Sequence, residues 1–182
     1  MRPRHAITPL TAAVLAACVA GCGYTQGNDG RKHASVAGYQ WRSLYRDDVK
    51  TVAVPIFQNR SYRRGVEFQL SKAIASHLEA TTPYKVAPRE RADTILEGEI
   101  SDIAVRTVSE DSRVAVPQEQ LYIVRVNFTW KDLRTGKILA QRRRFEQSAT
   151  FYPTLGEGQF VGAQANVERL ALAIVQELQA DW

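Results

Sequence analysis

Residues 121–130 constrain the fold of this chain most, because apolar side chains occupy every second position over most of the segment. The apolar set is Tyr122, Val124, Val126, Phe128 and Trp130, and the polar residues Arg125, Asn127 and Thr129 lie between its last members. A period of two is typical of a β-strand with one buried and one solvated face. The buried face has to be covered by another layer of structure.

Two segments have the helical spacing that such a layer needs. Ser61 offers an N-cap for a helix that continues to about residue 80, with an apolar stripe of Val66, Leu70, Ala73, Ile74 and Leu78. Residues 159–180 predict a second amphipathic helix, with Phe160, Ala163, Val167, Leu170, Ile174, Val175 and Leu178 directed inward. We expect both helices to pack on the sheet.

Further strands are predicted on either side of residues 121–130. Residues 49–57 place Val52, Val54 and Ile56 on one face, and Pro55 indicates an edge or a strand end. Residues 84–86 and 92–108 follow, with Gly98 as a possible bulge. A turn at residues 132–136 leads into a strand at 138–152. The order β-α-β-β-β-β-α predicts an α+β two-layer sandwich with a mostly antiparallel or mixed sheet.

The first 21 residues differ from the rest of the chain and predict a lipoprotein signal peptide. Arg2 and Arg4 precede the uncharged, Ala-rich run 6–20, which is too short for a spanning helix. Removing residues 1–21 lowers the formal charge from +5 to +3, because 22 basic residues then face 19 acidic ones. For an exported protein, this charge argues against nucleic acid as a partner and favours an anionic lipid surface.

The chain has two cysteines, and each of them ends a lipobox. LAAC at residues 15–18 favours Cys18 slightly by local pattern, and VAGC at residues 19–22 ends on Cys22. A diacylglycerol on either thiol, with further acylation of the amine, would anchor the protein stably to a membrane. Residues 22–38 then form a polar, Gly-rich tether with a root-mean-square reach of roughly 20–24 Å. The globular domain is expected at residues 39–182.

No grouping of residues predicts catalysis or metal binding. The three histidines are scattered, and no Walker loop or nucleophile elbow is present. We therefore predict no enzyme, no metal and no cofactor other than the covalent lipid.

Basic clusters are the remaining candidates for a binding site. Arg60, Arg63 and Arg64 lie at the start of the first helix, where cations oppose the helix dipole unless an anion lies among them. Arg142, Arg143 and Arg144 lie in a strand, so two should point one way and one the other. Anion binding, with lipopolysaccharide as the ligand, and a merely solvated face are equally good interpretations of each cluster.

Several motifs, taken in order, resemble the LptE family of lipopolysaccharide-assembly lipoproteins. They are GCGY at residues 21–24, TVAVPIF at 51–57 with Asn59, ADTILEG at 92–98, the turn at 132–136 and a terminal helix ending at Trp182. The resemblance implies a sandwich of two helices and four strands, with the lipid on Cys22. It also implies a place on the periplasmic side of the outer membrane. There the domain would plug the large β-barrel LptD while lipopolysaccharide passes to the cell surface.

Two other classes of function stay open at this point. A similar lipoprotein could serve another envelope secretion or export complex, and a co-purifying partner would discriminate that case. A lipoprotein enzyme acting on cell-wall material would need a cluster of carboxylates or a nucleophile in a cleft. Gly23 and Val19, which follow the two candidate cysteines, are not aspartate, which agrees with sorting to the outer membrane.

Overall fold

Six strands and two helices make up the fold in the computed structural model, which describes residues 43–111, 113 and 116–179. The strands are β1 (Thr51–Ala53), β2 (Gln58–Asn59), β3 (Lys85–Val86), β4 (Thr94–Glu110), β5 (Pro117–Asp132) and β6 (Ile138–Phe151). The helices are α1 (Val66–Thr81) and α2 (Gln159–Gln176), and short 3-10 turns lie at Arg89–Arg91 and Pro153–Leu155. The predicted signal peptide 1–21, the tether 22–38, Cys18, Cys22 and Trp182 lie outside the described residues.

The sheet is mixed, with the order β3-β1-β4-β5-β6, and β2 pairs with β4 further along the same edge. Strands β1 and β2 run parallel to β4, whereas β4, β5 and β6 form an antiparallel meander. The α+β sandwich is confirmed, but six strands replace the four that the resemblance implied. One reason is Pro55, which lacks a backbone N–H for the ladder and separates β1 from β2. The strand predicted at 49–57 is therefore confirmed only over Thr51–Ala53, and it ends before Pro55 as that proline indicated, whereas Ile56 is exposed and not on a buried face.

The alternating face of β5 forms the centre of the core, as predicted. Its five apolar residues are buried, and so is the whole apolar stripe of α1. Helix α2 and the turn after it add Val167, Leu170, Ile174, Val175 and Leu178. Trp130 is held further by its indole N–H, which donates to Thr94 Oγ1 at 2.9 Å.

Helix α2 begins at Gln159 as predicted, but the start of α1 and the burial of the first turn of α2 differ from the prediction. Helix α1 begins at Val66, and its N-cap is Gly65 with φ of 93°, because Ser61 donates its hydroxyl to Asn59 Oδ1 (2.7 Å) instead of capping a helix. Phe160 was predicted to be buried but is 68% exposed, since it lies in the first turn of α2, beside the groove between the helices. Asn166 is buried on α2 instead.

Gly98 is a close-packing position and not the predicted bulge. The ladder between β4 and β5 runs regularly through Gly98, and its irregularities begin only after Ile100. A Cβ atom on Gly98 would lie 2.6 Å from both Cδ2 and Cζ of Phe57, and still nearer to Cε2. The aromatic ring of Phe57 therefore occupies the space that any larger residue would need.

Two side chains of α2 donate hydrogen bonds to backbone carbonyl groups of β5 and β6. Asn166 Nδ2 donates to the carbonyl oxygens of Gln147 on β6 (2.6 Å) and Tyr122 on β5 (2.9 Å). Arg169 Nη1 donates to the carbonyl oxygen of Ser148 at 3.3 Å. The helix is thus tied to the last two strands of the sheet by its own donors.

Candidate anion-binding surfaces

The loop that carries the first basic cluster is closed by the side chain of Asn59. Its Oδ1 accepts from the N–H of Ser61 (2.8 Å), and its Nδ2 donates to the carbonyl oxygen of Arg63 (2.7 Å) and to Glu67 Oε2 (2.6 Å). The same carboxylate accepts from the N–H of Gly65 at 3.0 Å. Partial burial acts to raise the pKa of Glu67, but these hydrogen bonds outweigh it and the pKa is lowered. The loop is therefore fixed by an ionised carboxylate.

Arg63 and Arg64 lie together at the point where both helices begin. Arg63 Nη1 donates to Gln159 Oε1 (2.8 Å), and the Arg63 guanidinium lies 5.5 Å from the centre of the Tyr122 ring, within cation–π range. In the described part of the chain, no carboxylate lies within 4.0 Å of either arginine. Together with Phe160 they line a cavity of 290 Å³ between the two helix starts.

This cavity has the electrostatics of an anion site. The N-caps Gly65 and Gly158 provide no side-chain oxygen, but at the start of α1 the Glu67 carboxylate accepts from the N–H of Gly65, so it is the start of α2 that has no acidic side chain in its first turn and no side-chain cap. The partial positive charge at the start of α2 adds to the charge of the arginines, whereas Glu67 offsets that of α1. A phosphate or carboxylate would relieve the repulsion among them.

Arg60 does not join this pair. Its Nε lies 3.0 Å from Glu99 Oε2, in an ion pair with a strand residue of β4. Glu99 belongs to the face of the sheet that is turned away from the helices, which we call the open face. The predicted cluster is thus divided between the helix starts and the open face.

The second cluster is divided by a bulge in β6. Val126 pairs with Phe145 and Phe128 pairs with Arg142, so Asn127 faces both Arg143 and Arg144. Arg144 adopts φ of 54°, and its N–H donates to Asn127 Oδ1 at 2.9 Å. The bulge therefore interrupts the alternation on which the prediction for residues 142–144 was based, so that the two arginines on one face are consecutive, Arg143 and Arg144.

The bulge gives the three arginines different surroundings. Arg142 lies opposite Phe128 and reaches the helix layer, where its Nη2 is 2.6 Å from Glu177 Oε2. Arg143 and Arg144 line a 510 Å³ cavity on the open face with Ser101, Arg125 and Asn127. Arg125 is already paired with Asp102 (2.7 Å) and Glu146 (2.5 Å). Arg143 and Arg144 are therefore the members of this cluster that are placed to receive an external anion.

The open face is polar and carries basic and acidic side chains that form ion pairs with one another. Besides the pairs of Arg60 and Arg125, Arg89 Nη1 lies 3.0 Å from Glu97 Oε1. Exposed pairs of this kind stabilise a fold by roughly 0–1 kcal/mol each. Their main effect is to give the sheet a hydrophilic surface that the core does not require.

Sequence reasoning missed the residues that position the cations. Asn59 was noted only as part of a motif, and its closeness to Gly65 and Glu67 could have indicated a closed loop. Tyr122 lies 59 positions after Arg63, so no local signal could have indicated their contact. No three His, Cys, Asp or Glu residues come together as metal ligands among residues 43–111, 113 and 116–179. In the same residues, no helix is both long and apolar enough to cross a membrane.

Comparisons with known proteins give one family model and several similar structures. The family model described as "LptE: Lipopolysaccharide-assembly" matches residues 49–181. An uncharacterised lipoprotein B from Nitrosomonas europaea has a similar structure, with 12% identity and a TM-score of 0.53, covering 76% of this chain and 88% of that one. A PelC dodecamer from Paraburkholderia phytofirmans is matched with 15% identity and a TM-score of 0.49 over 76% and 96% of the two chains. No curated protein matches at a significant level.

Proposed function

The chain belongs to the LptE family of lipopolysaccharide-assembly proteins, and we propose that it is an outer-membrane lipoprotein that assists lipopolysaccharide transport and assembly at the cell surface. In this proposal the domain is the plug and assembly partner of an LptD-like β-barrel, and it performs no chemical reaction. The match over residues 49–181 carries the proposal. The polar open face supports it, because the lumen of a large membrane barrel is lined by polar side chains.

The partner is the part of the proposal that co-purification tests most directly. We expect the protein, tagged and purified from its native membranes, to be recovered near one-to-one with a large outer-membrane barrel. Depletion should leave that barrel misassembled and surface lipopolysaccharide reduced. Recovery as a free lipoprotein, with normal surface lipopolysaccharide after deletion, would contradict the proposal and favour another envelope complex.

The anchor is proposed to be a lipid on Cys22, facing the periplasm. Metabolic labelling with a clickable palmitate should mark the wild-type protein and the Cys18→Ala variant, whereas Cys22→Ala should remain unlabelled. Because both cysteines end a lipobox, each variant serves as the control for the other. Label that disappears only in Cys18→Ala would show that the first lipobox is used.

The arginines are proposed to bind the phosphate groups of lipopolysaccharide. Arg63 and Arg64 at the helix starts, and Arg143 and Arg144 on the open face, are the candidates that lack a carboxylate partner among the described residues. Charge-assisted hydrogen bonds to phosphate are strong and weaken with salt. Binding by the mature chain carrying Cys22→Ser should therefore decrease as ionic strength rises.

Paired substitutions distinguish these residues from a solvated surface. Arg63→Ala with Arg64→Ala should weaken binding of purified lipopolysaccharide several-fold at low salt, and Arg143→Ala with Arg144→Ala should do the same. Arg89→Ala removes an exposed arginine that is paired with Glu97 and should leave the affinity unchanged. If both paired variants bind like the wild type, these arginines only solvate the domain.

A further inference from the structure

The second half of β4 has a strand neighbour on only one side in the described part of the chain. Strands β1 and β2 pair with β4 as far as Ile100, whose carbonyl oxygen accepts from the N–H of Arg60 at 3.0 Å. Strand β4 continues to Glu110, and among the described strands only β5 pairs with it over this length. The backbone groups on the other side of β4 therefore form an edge on which a further strand can pair.

Residues 102–107 are the regular part of this edge. The ladder between β4 and β5 shifts register between Ile100 and Asp102 and again between Thr107 and Ser109, whereas residues 102–107 pair one to one with β5. Because bulges distort an edge and hinder pairing, an incoming strand fits best between these two irregularities. We call residues 102–107 the β4 edge.

Two aliphatic side chains of the β4 edge are turned towards the helices. Ile103 pairs with Val124 of β5, and Val124 is buried in the core. Val105 pairs in the same way with the buried Tyr122. Since opposed residues of a ladder lie on the same face, Ile103 and Val105 belong to the helix-covered face, where both are partly buried against the core.

The alternate side chains of the β4 edge lie on the open face and carry opposite charges. Asp102 and Arg106 are exposed, with the small Ala104 between them. The Asp102 carboxylate lies 2.7 Å from Arg125. Arg106 has no carboxylate within 4.0 Å in the part of the chain that the structure describes. An acid and a base therefore stand four positions apart on one exposed margin.

This pattern is complementary to itself. When two identical strands pair antiparallel about a two-fold axis, one residue of each strand lies opposite its own counterpart. With Ala104 at the axis, Asp102 of each copy lies opposite Arg106 of the other copy. In the same register Ile103 lies opposite Val105 of the other copy, so aliphatic side chains meet on the helix-covered face. Opposite charges and aliphatic side chains are both favourable as directly opposed pairs.

Other two-fold registers match less well. With Arg106 at the axis, the two Arg106 side chains lie opposite each other, and Asp102 lies opposite Glu110, so every charge faces a like charge. With Val105 at the axis, no charged residue of the β4 edge lies opposite a charge. A register about Val108 places Arg106 opposite Glu110, but its ladder would cross the irregularity after Thr107.

We propose that a second copy of this chain pairs with the β4 edge, antiparallel and with Ala104 at the two-fold axis. The charge complementarity of Asp102 and Arg106 selects this occupant and this register. Pairing would join the two sheets and satisfy the backbone groups of both copies at once. Six residues from each copy make a much smaller contact than the roughly 20–30 residues a side of a stable interface, so the dimer is weak and forms at high protein concentration.

Disulfide cross-linking tests the register. The mature chain carrying Cys22→Ser has no cysteine, because Cys18 is the only other one and belongs to the predicted signal peptide. Opposed residues of an antiparallel ladder have Cα atoms about 4.5–5.5 Å apart, a separation that a disulfide can span. Ala104→Cys in this chain should therefore give a linked dimer on mild oxidation.

Glu110→Cys is the matched control, because Glu110 is exposed on the same strand. In the proposed register the two copies of residue 110 lie about 40 Å apart, since twelve residues separate them along the strand direction. The dimer with Ala104→Cys should form at least about tenfold faster than the one with Glu110→Cys, because pairing raises the effective concentration of the first thiol pair.

Charge substitutions test the complementarity. Adding Asp102→Arg or Arg106→Asp to the Ala104→Cys chain makes like charges face each other, and each should slow cross-linking at least about tenfold. A mixture of the two variants should restore cross-linking between them, because each new charge then faces an opposite charge on the other variant. A size tag on one variant identifies the mixed dimer. The thermal melting of both should stay close to that of the parent chain, since exposed ion pairs stabilise a fold little.

Sedimentation equilibrium of the mature chain carrying Cys22→Ser, at up to about 1 mM, should show a reversible monomer–dimer equilibrium. A chain that stays monomeric throughout would overturn the inference. So would an Ala104→Cys chain that links no faster than Glu110→Cys, or a mixture that links no faster than either charge variant alone. None of these measurements involves the barrel, so the inference and the proposed function can fail separately.

The full-length lipoprotein carrying Ala104→Cys extends the test to native cells. A disulfide-linked dimer of the lipoprotein is the expected product there. A link from position 104 to a different protein, with none to a second copy, would assign the β4 edge to that protein and overturn the inference.

Discussion

Replacing Gly98 by alanine tests the packing of the core at one atom. The new Cβ would lie 2.6 Å from two ring carbons of Phe57, about 1 Å inside an ordinary carbon–carbon contact of roughly 3.5–4.0 Å. The ring has little room to withdraw, because Phe57 is 2% exposed and its N–H donates to Ser71 Oγ at 2.9 Å. Gly98 does not have a positive φ, so alanine brings no backbone strain with it.

The expected cost follows from two opposing effects. Overpacking a core typically destabilises a protein by about 1–3 kcal/mol, and an overlap of this size belongs near the upper end. Replacing glycine within a strand recovers roughly 0.5–1 kcal/mol of backbone entropy. We expect Gly98→Ala to lower the free energy of unfolding by about 2 kcal/mol, measured by urea denaturation of the mature chain carrying Cys22→Ser.

A double-mutant cycle shows whether the ring is the cause. Phe57→Ala alone should cost about 3–5 kcal/mol through the cavity that it leaves. In the double variant the alanine at position 98 extends into that cavity, so the combined loss should be at least about 1 kcal/mol smaller than the sum of the single losses. An additive cycle, or a Gly98→Ala protein within about 0.5 kcal/mol of the wild type, would refute the steric reasoning.

Three further predictions concern the hydrogen bonds of Asp93 to the start of β1, the register of β5, and the hydrogen bonds of Asn166 to β5 and β6. Hydrogen bonds to Asp93, first from the N–H of Lys50 and then from the Thr51 hydroxyl, lower the pKa of Asp93. The ionised Asp93 therefore stabilises the folded state fully above the unfolded pKa of about 3.9, and this stabilisation is lost as the pH falls through the lower pKa of the folded state. Urea midpoints measured over this pH range should decrease more for the wild type than for Asp93→Asn. Val126→Asp should bury an unpaired charge at a cost of several kcal/mol, and a soluble, cooperatively melting variant would show that the β5 register is wrong. Asn166→Ala should lower the free energy of unfolding by about 1–3 kcal/mol in urea, because two strand carbonyls lose their donor; an unchanged midpoint would contradict this.

The sequence was sufficient where the signal was local and repeated. The alternation in β5 and the stripe of α1 each involve five positions that follow one period, two residues in the strand and about 3.6 in the helix, so a single exception could not hide the pattern. The turn at residues 132–136 could also be predicted, because its geometry depends on residues within the turn itself. Gly136 adopts φ of 74°, and its N–H donates to the carbonyl oxygen of Asp132. These elements fix the two layers of the sandwich and thereby its core.

The sequence was insufficient where the outcome depends on a distant neighbour. Gly98 suggested a bulge because the ring of Phe57, 41 positions away, is invisible to local patterns. The directions of Arg143 and Arg144 depend on a bulge that Asn127 stabilises from another strand. Phe160 has helical spacing for the core, but its turn lies where no described element covers it. The candidate arginines could therefore be named from sequence, whereas their grouping required the three-dimensional register.

The two margins of the sheet determine how this domain can meet other strands. Donors from Asn166 and Arg169 engage carbonyls of β6, and the left-handed backbone of Arg144 interrupts the edge. At the other margin of the sheet, β3 is only two residues long. On that side β1 and β2 pair with β4 only as far as Ile100, so residues 102–110 of β4 carry a long run of backbone groups without a strand partner in the described part of the chain. A free strand of this length is a template on which another chain can pair, so an unassembled copy is open to self-association until this edge is covered.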